Sequence, residues 1–201
     1  MKAIAFRLVS LLAVLALLAT AYAQEEAAWD LYAMSSWGKA GHASLSNWYL
    51  HNKLEPVAGE TEASARHYYD RGSLASNAYE GTGGTIRVWE KILLKGITRS
   101  YEEVRADVEK EEGQRLGRKL TVLDMAGVFP HAVNQAAKEI RTLFEINCES
   151  GEFIVLETNL YDVEGSRMIR ETNPNLDVWY PVQPGSVMSL LAKKVCGHTT
   201  R

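Results

Sequence analysis

The sequence lacks an excess of basic residues, and it lacks a hydrophobic run long enough to cross a membrane. Its 201 residues include 22 Lys and Arg against 25 Asp and Glu, a formal net charge of −3. A domain that binds nucleic acid through its surface charge carries the opposite balance. The apolar run Leu8–Ala19 is shorter than the roughly 20 residues that span a bilayer, and no later stretch is long enough. We therefore expect no nucleic-acid binding. We also expect no transmembrane segment once the N-terminal secretory signal described below has been cleaved.

Motifs that carry catalysis or bind metal are also missing. The sequence has no HExxH pair and no GxSxG nucleophile elbow, and its glycine-rich residues 80–84 lack the GK[ST] ending of a phosphate-binding loop. We therefore predict no catalytic residues, no metal site, no cofactor and no enzymatic activity. A cleft with a strongly shifted carboxylate or histidine pKa would reverse that prediction. We expect the five histidines to be unrelated surface or turn residues: His42, His51, His67, His131 and His198.

The first 23 residues have the composition of a cleavable secretory signal. Lys2 and Arg7 precede the apolar run, and the small residues of Ala21-Tyr22-Ala23 stand in front of Gln24, where a signal peptidase would cut. The signal holds two basic residues and no acidic one, so the mature chain has 20 basic against 25 acidic residues. Gln24 has no thiol, and we expect no bacterial lipid anchor there.

The chain has only two cysteines, Cys148 and Cys196, and both lie in the predicted mature part. In an oxidising compartment two thiols pair most simply with each other. We therefore predict one disulfide, which would stabilise the fold by roughly 4 kcal/mol in the chain-entropy model. The alternative is two separate buried thiols.

Apolar residues recur at every second position in several short segments, which is typical of strands with one buried face. In residues 85–95 Ile86 and Val88 share one face, whereas Trp89 lies on the other. Residues 140–148 alternate in the same way and place Cys148 on the apolar face. Further strands are predicted at residues 29–34, 67–70, 152–161, 166–170 and 178–182, with a hairpin turn at 162–165.

Two helices are predicted as well. Ser100 followed by Glu103 is a capping-box signature, and it opens a mostly charged surface helix from Tyr101 to about Glu112. Residues 186–196 place four apolar side chains on one stripe and end with two lysines in the last turn, where cations suit the helix dipole. This last helix should pack on the sheet.

Four segments stand out for their order and composition: Tyr68–Leu74, Ile86–Lys91, Leu143–Cys148 and Pro184–Cys196, in that order along the chain. Together they resemble the bacterial surface-adhesin protein E family. The resemblance implies an α+β fold, an antiparallel sheet of about six strands whose concave face carries a C-terminal helix tied by a strand-to-helix disulfide. We expect one such domain over residues 24–201, with insertions near residues 37–66 and 97–139.

Aromatic side chains are the candidates for a binding surface. Trp37, Trp48, Tyr49 and His51 gather in a segment without clean periodicity, and aromatic residues on loops often build protein or ligand contacts. The alternative is that they cover an edge of the sheet. Trp89 is the fifth candidate because it faces away from the apolar side of its strand. We expect the long insertion or a partner in a homodimer to cover it.

Two hypotheses about function follow. The first is an exported, non-catalytic binding or adhesion module of the surface-adhesin protein E type, periplasmic or on the surface of a Gram-negative bacterium, with a protein or other macromolecule as its partner. The second is a periplasmic small-ligand-binding or envelope-assembly protein that uses the concave side of the sheet as a pocket. An apolar cavity beneath the C-terminal helix would favour the second.

Overall fold

The computed structural model describes residues 29–36, 56–61, 64–77 and 84–197. The predicted signal at residues 1–23 lies outside these ranges, as does most of the predicted insertion at 37–66. The elements within them are, in chain order, β1 (Trp29–Ser36), β2 (Ser64–Asp70), α1 (Arg71–Asn77), β3 (Thr85–Leu94), α2 (Tyr101–Leu116), α3 (Val122–Ala136), β4 (Glu139–Asn147), β5 (Glu152–Tyr161), β6 (Arg167–Thr172), β7 (Tyr180–Pro181) and α4 (Val187–Cys196).

The strands form one antiparallel sheet. Six of them follow the order β1-β2-β3-β4-β5-β6, so that strands consecutive in sequence are neighbours in space. The two-residue strand β7 pairs with the start of β5. This arrangement confirms the predicted α+β class and the six-stranded antiparallel sheet.

One face of the sheet is buried beneath the helices, and we call it the inner face. At one end Val88, Phe144 and Phe153 pack against Met188 and Leu191 of α4, all nearly inaccessible to solvent. At the other end a second apolar cluster joins β3, β4 and β5 to the end of α3. Burying one aliphatic or aromatic side chain of this size stabilises a fold by about 1.5–3 kcal/mol. The two clusters therefore fix the helices to the inner face.

Helix α4 is covalently joined to the sheet. Its N-terminus is capped by Ser186, whose hydroxyl accepts the Ser189 N–H at 3.1 Å. Cys196 ends the helix and bonds to Cys148, the residue after β4, with 5.6 Å between their Cα atoms. Both cysteines pack against the apolar cluster beneath α4. The predicted disulfide is confirmed, and so is the orientation of Cys148 toward the apolar face.

Helices α2 and α3 form a hairpin over the far end of the inner face. The hydroxyl of Ser100 accepts the Glu103 N–H while the Glu103 carboxylate accepts the Ser100 N–H, so the predicted capping box is present. α2 continues four residues beyond its predicted end and stops at Gly117, whose φ of +63° glycine adopts without strain. Apolar residues of the two helices form a third cluster between them.

The sequence analysis does not predict α3, although it has an apolar stripe and a capping box of its own. Pro130 lies inside the helix, and a proline removes a backbone donor and commonly ends a helix. In the structure Pro130 is exposed, and burial of Val128, Ala132 and Val133 against α2 and the sheet holds the helix together. Tertiary packing therefore outweighs the local cost of the proline.

The β5–β6 turn and the start of α2 share one buried carboxylate. Asp162 Oδ1 accepts the N–H groups of Glu164 and Ser166 at 3.0 and 2.9 Å, and Asp162 Oδ2 accepts the Tyr101 N–H at 3.1 Å. Asp162 itself is 4% exposed. The predicted hairpin at residues 162–165 is thus present, and its aspartate also fixes the α2–α3 hairpin to the sheet.

Candidate functional site

The side of the sheet opposite the helices carries aromatic and charged side chains, and we call it the outer face. Strand alternation places Trp89 and Lys91 of β3 there, because Val88 and Ile92 point into the core. The pairing register then puts Arg141 of β4 beside Lys91, and Asn159 of β5 beside Arg141. Residues far apart in sequence therefore form one continuous surface.

A depression of about 350 Å³ lies on this outer face. Its volume is at the lower end of the roughly 300–1,000 Å³ that ordinary small-ligand sites occupy. Its lining combines three aromatic rings with two carboxylates, two guanidinium groups and an amide: Trp29, Trp89, Tyr161, Asp70, Glu157, Arg141, Arg167 and Asn159. We call these eight residues the outer-face site.

Cations hold the aromatic rings of the site in place. Lys91 Nζ lies 4.6 Å from the ring centroid of Trp29 and 5.4 Å from that of Tyr68. The guanidinium carbon of Arg141 lies 5.1 Å from the Tyr161 centroid and 5.9 Å from the Trp29 centroid. Each such contact stabilises by about 0.5–1 kcal/mol at an exposed site. Trp29 and Tyr161 are therefore held in place before any ligand arrives.

The carboxylates of the site are also fixed by hydrogen bonds. Glu157 accepts a bond from Arg170 Nη2 at 2.8 Å and one from Asn159 Nδ2 at 2.7 Å. The bond from Arg170 lowers the pKa of Glu157 more than its partial burial raises it, and the Asn159 bond lowers it further. Asp70 accepts the Gly72 N–H at 2.8 Å. Glu157 is therefore ionised at neutral pH. A general acid needs a raised pKa, whereas the pKa of Glu157 is lowered.

One acceptor in the site has no donor. Asn159 is 3% exposed, and within the described part of the chain its Oδ1 atom has no hydrogen-bond partner. A buried amide oxygen without a donor costs about 1–3 kcal/mol, because it has lost its bonds to water. Asn159 therefore contributes an unsatisfied acceptor to the residues of the site.

The structure describes one of the five predicted binding residues, and the binding role of all five stays a prediction. Trp89 is only partly exposed and lines the outer-face site. Trp37, Trp48, Tyr49 and His51 lie outside the described residues, and their role stays a prediction.

Sequence reasoning missed the other seven residues of the site. Trp29, Tyr161 and Arg141 belong to three different strands, and alternation within a strand does not reveal which strands are neighbours. The argument used for Trp89, that it faces away from the apolar side of its strand, could have found them. A large or charged residue on the solvent side of each strand marks the same surface.

A second constellation, also missed, lies buried in the sheet. Glu90 Oε1 is 2.8 Å from His67 Nδ1, and His67 Nε2 is 2.8 Å from Ser35 Oγ. The Tyr32 hydroxyl donates to Glu90 Oε1 as well. His67 is 0% exposed, so the expectation that the histidines are surface or turn residues is wrong for this one. Sequence reasoning missed this residue because the sequence does not show that His67 occupies a buried position of β2.

This buried network has the connectivity of a serine–histidine–carboxylate triad, but a substrate cannot reach its serine. Ser35, His67 and Glu90 are each 0% exposed. A nucleophilic serine must reach the carbon that it attacks, whereas this hydroxyl is enclosed on every side. Buried polar groups that hydrogen-bond to one another specify the packing around them. We therefore assign the network to the fold.

Two searches of the described ranges bear on other kinds of site. Residues 29–36, 56–61, 64–77 and 84–197 bring no three potential metal-ligating side chains together. In the same ranges, none of the helices combines the length and hydrophobicity that a membrane span requires.

The fold is α+β and its outer face carries a polar, aromatic depression, and comparison with known proteins gives the family. The family model of surface-adhesin protein E matches residues 55–197, more than half of the chain. The chain therefore belongs to the surface-adhesin protein E family and is an adhesin-type surface protein. The match includes every residue of the outer-face site except Trp29.

Among solved structures, Haemophilus influenzae protein E in its crystal form II is similar to this chain. The two share 12% sequence identity over 67% of this chain and 83% of the other, with a TM-score of 0.40. A search of curated proteins finds no match.

Proposed function

We propose that this chain is an exported, non-catalytic adhesion module whose outer face binds another macromolecule at the cell envelope or cell surface. In this proposal residues 1–23 direct export and are removed, and residues 24–201 form one domain. Family membership supports the adhesin character. The outer-face site supplies the surface that such a role requires.

The observation that carries the proposal is the asymmetry of the sheet. α4 and the α2–α3 hairpin cover the inner face, where the side chains are apolar and buried. On the outer face Trp29, Trp89 and Tyr161 remain partly exposed and lie among arginines. Protein-binding surfaces are enriched in tryptophan, tyrosine and arginine, because these side chains bury much area and also form directional bonds.

The predicted aromatic segment extends this proposal. Trp37, Trp48, Tyr49 and His51 follow β1, and β1 contributes Trp29 to the outer-face site. We propose that these four residues add to the same binding surface. A partner of this surface would then contact both the segment and the depression.

Photo-cross-linking in the native organism tests the proposal. A photoreactive phenylalanine analogue at Arg167, on the outer face, should give an adduct with a partner. The same analogue at Glu111, an exposed residue of α2, is the matched control and should give none. Replacing Trp29 and Trp89 together with alanine should remove the adduct from position 167.

Two results would contradict the proposal. Equal adducts from positions 167 and 111 would mean that contact is not specific to the outer face. An adduct at 167 that survives the double tryptophan replacement would mean that the aromatic rings do not contribute. Surface proteolysis of intact cells, in parallel, separates a location on the outside from one in the periplasm.

An apolar cavity beneath the C-terminal helix would have favoured the second hypothesis. In the structure Met188, Leu191 and Val195 of α4 fill that space and are at most 1% exposed. A small ligand bound there would have to displace this packing. The outer-face depression is therefore the better place for a ligand.

A further inference from the structure

We propose that the outer-face depression binds a single uncharged pyranose ring of a glycan. This inference rests on the proposed function, because it names the chemistry through which the outer face would recognise its partner. Three features carry it: the unsatisfied acceptor, the balance of charge, and the ordered aromatic rings.

The polar groups of the site match vicinal hydroxyl groups. Asn159 Oδ1 needs a donor, and a sugar hydroxyl can donate to it while accepting from a neighbouring guanidinium group. Arg141 and Arg167 supply such donors, and the carboxylates of Asp70 and Glu157 accept. A ring with several hydroxyls provides a donor and an acceptor at each carbon, which few other small groups do.

The charge of the lining favours a neutral ligand. Two guanidinium groups and two carboxylates line the depression, so their formal charges cancel. An anion such as a phosphate would lie against Asp70 and Glu157, and a cation would lie against Arg141 and Arg167. An uncharged polyol meets neither penalty, and it uses both kinds of group through hydrogen bonds.

The aromatic rings provide the apolar half of the contact. One face of a pyranose ring presents mainly C–H groups, and it packs well on a flat aromatic surface. Arg141 already positions Trp29 and Tyr161, so little side-chain entropy is lost when a sugar binds. One ring in a depression of this size should bind with a Kd of about 1 mM, and several copies of the protein on a surface would raise the avidity.

Titration by NMR tests the inference directly. The protein, with its disulfide intact, is mixed with methyl glycosides of glucose, galactose, mannose and N-acetylglucosamine, and the indole N–H signals of its tryptophans are followed. At least one glycoside should shift the signals of Trp29 and Trp89 saturably. Inorganic phosphate and methylguanidinium, as charged comparison probes, should not.

A pair of matched variants locates the binding. Asn159→Leu removes the unsatisfied acceptor and should weaken binding about tenfold, the weight of one hydrogen bond. Gln114→Leu makes the same change to an exposed amide on α2 and should leave binding unchanged. Absence of any glycoside-induced shift at concentrations far above the expected Kd would overturn the inference, as would saturable binding of phosphate in their place.

The inference and the proposed function fail in different ways. If the photo-adduct at position 167 forms as well after periodate has oxidised the glycans of the partner, the outer face binds protein, and only the sugar inference is overturned. If no specific adduct forms at all, the proposed function fails. Loss of the adduct after periodate supports both.

Discussion

At the residue scale Glu90 is a carboxylate held at the centre of a buried polar network. Its carboxylate lies inside the sheet, where it accepts from the Tyr32 hydroxyl and from the imidazole of His67. A carboxylate can only accept, so His67 Nδ1 carries a proton, and His67 Nε2 lies within hydrogen-bond distance of the Ser35 hydroxyl. The network ties β1, β2 and β3 together through side chains as well as through the backbone.

Removing the central member of this network should destabilise the protein strongly. His67→Leu keeps a similar volume but leaves the buried Glu90 carboxylate with one partner fewer, and the expected loss is about 3–5 kcal/mol of unfolding free energy. Denaturant unfolding followed by tryptophan fluorescence measures it. His131→Leu, at an exposed position of α3, is the control and should change stability little. Wild-type stability of His67→Leu would refute the role given to the network.

Tyr32 should make the unfolding free energy depend on pH in alkaline solution. Burial of its hydroxyl raises the pKa of Tyr32 well above the ordinary 10.0, and the neighbouring Glu90 charge raises it further. The folded state therefore holds this proton more tightly than the unfolded state. The unfolding free energy should be insensitive to this group below pH 10 and should fall as the pH rises beyond it.

Tyr32→Phe should flatten that alkaline decline when unfolding is measured across the pH range on both proteins. Part of the decline should remain, because the pKa values of Tyr69 and Tyr101 are also raised, chiefly by burial. An identical pH profile for the variant and the wild type would show that Tyr32 contributes nothing to it.

At the scale of elements, the junction between β5, β6 and α2 depends on one side chain. Asp162 accepts three backbone N–H groups, from Tyr101, Glu164 and Ser166. All three bonds end on the same carboxylate. The start of α2 and the β5–β6 turn should therefore open together when the Asp162 side chain is removed.

Asp162→Ala should therefore lower stability by about 2–4 kcal/mol, since three backbone donors lose their shared carboxylate acceptor. Hydrogen exchange should accelerate at the amides of Tyr101, Glu164 and Ser166. Glu164→Ala, in the same turn but exposed, is the comparison and should leave those rates nearly unchanged. Unaltered exchange at Tyr101 in Asp162→Ala would mean that α2 is held by its other contacts alone.

The elements also show what the sequence does and does not predict. Alternation finds β3 and β4 because each has one face in the core, and the turn at residues 162–165 locates β5 and β6 on either side of it. Helix α3 is missed because Pro130 has a clear local meaning, whereas the packing that overrides it is visible only in three dimensions. The outer-face site is missed for a related reason. Trp29 and Tyr161 come together through strand order and sheet twist, which no single segment encodes.

At the scale of the whole molecule, the disulfide fastens the last helix to the middle of the sheet. Cys148 and Cys196 are 48 residues apart, and closing a loop of that length stabilises by roughly 4 kcal/mol in the chain-entropy model. The double variant Cys148→Ala/Cys196→Ala should lose up to about that amount. Denaturant unfolding of the variant, and of the wild type with and without reductant, measures the loss.

Reduced wild type and the double variant should agree in this experiment. Strands β1 to β4 lie before the bond in sequence, and their apolar contacts with α4 persist without it. The fold should therefore survive at room temperature with α4 held less firmly. A reductant that leaves wild-type stability unchanged would show that the bond contributes nothing beyond the packing of α4.

The same bond makes a covalent ring of the last quarter of the chain. Strands β5, β6 and β7 and helix α4 lie between its two cysteines, and so does the exposed β5–β6 turn. A protease that cuts this turn opens the ring but releases no fragment, because both new ends stay attached through sulfur. In the proposed role at the cell surface the protein would be exposed to proteases. It should withstand a cut there and remain a single molecule until its environment becomes reducing.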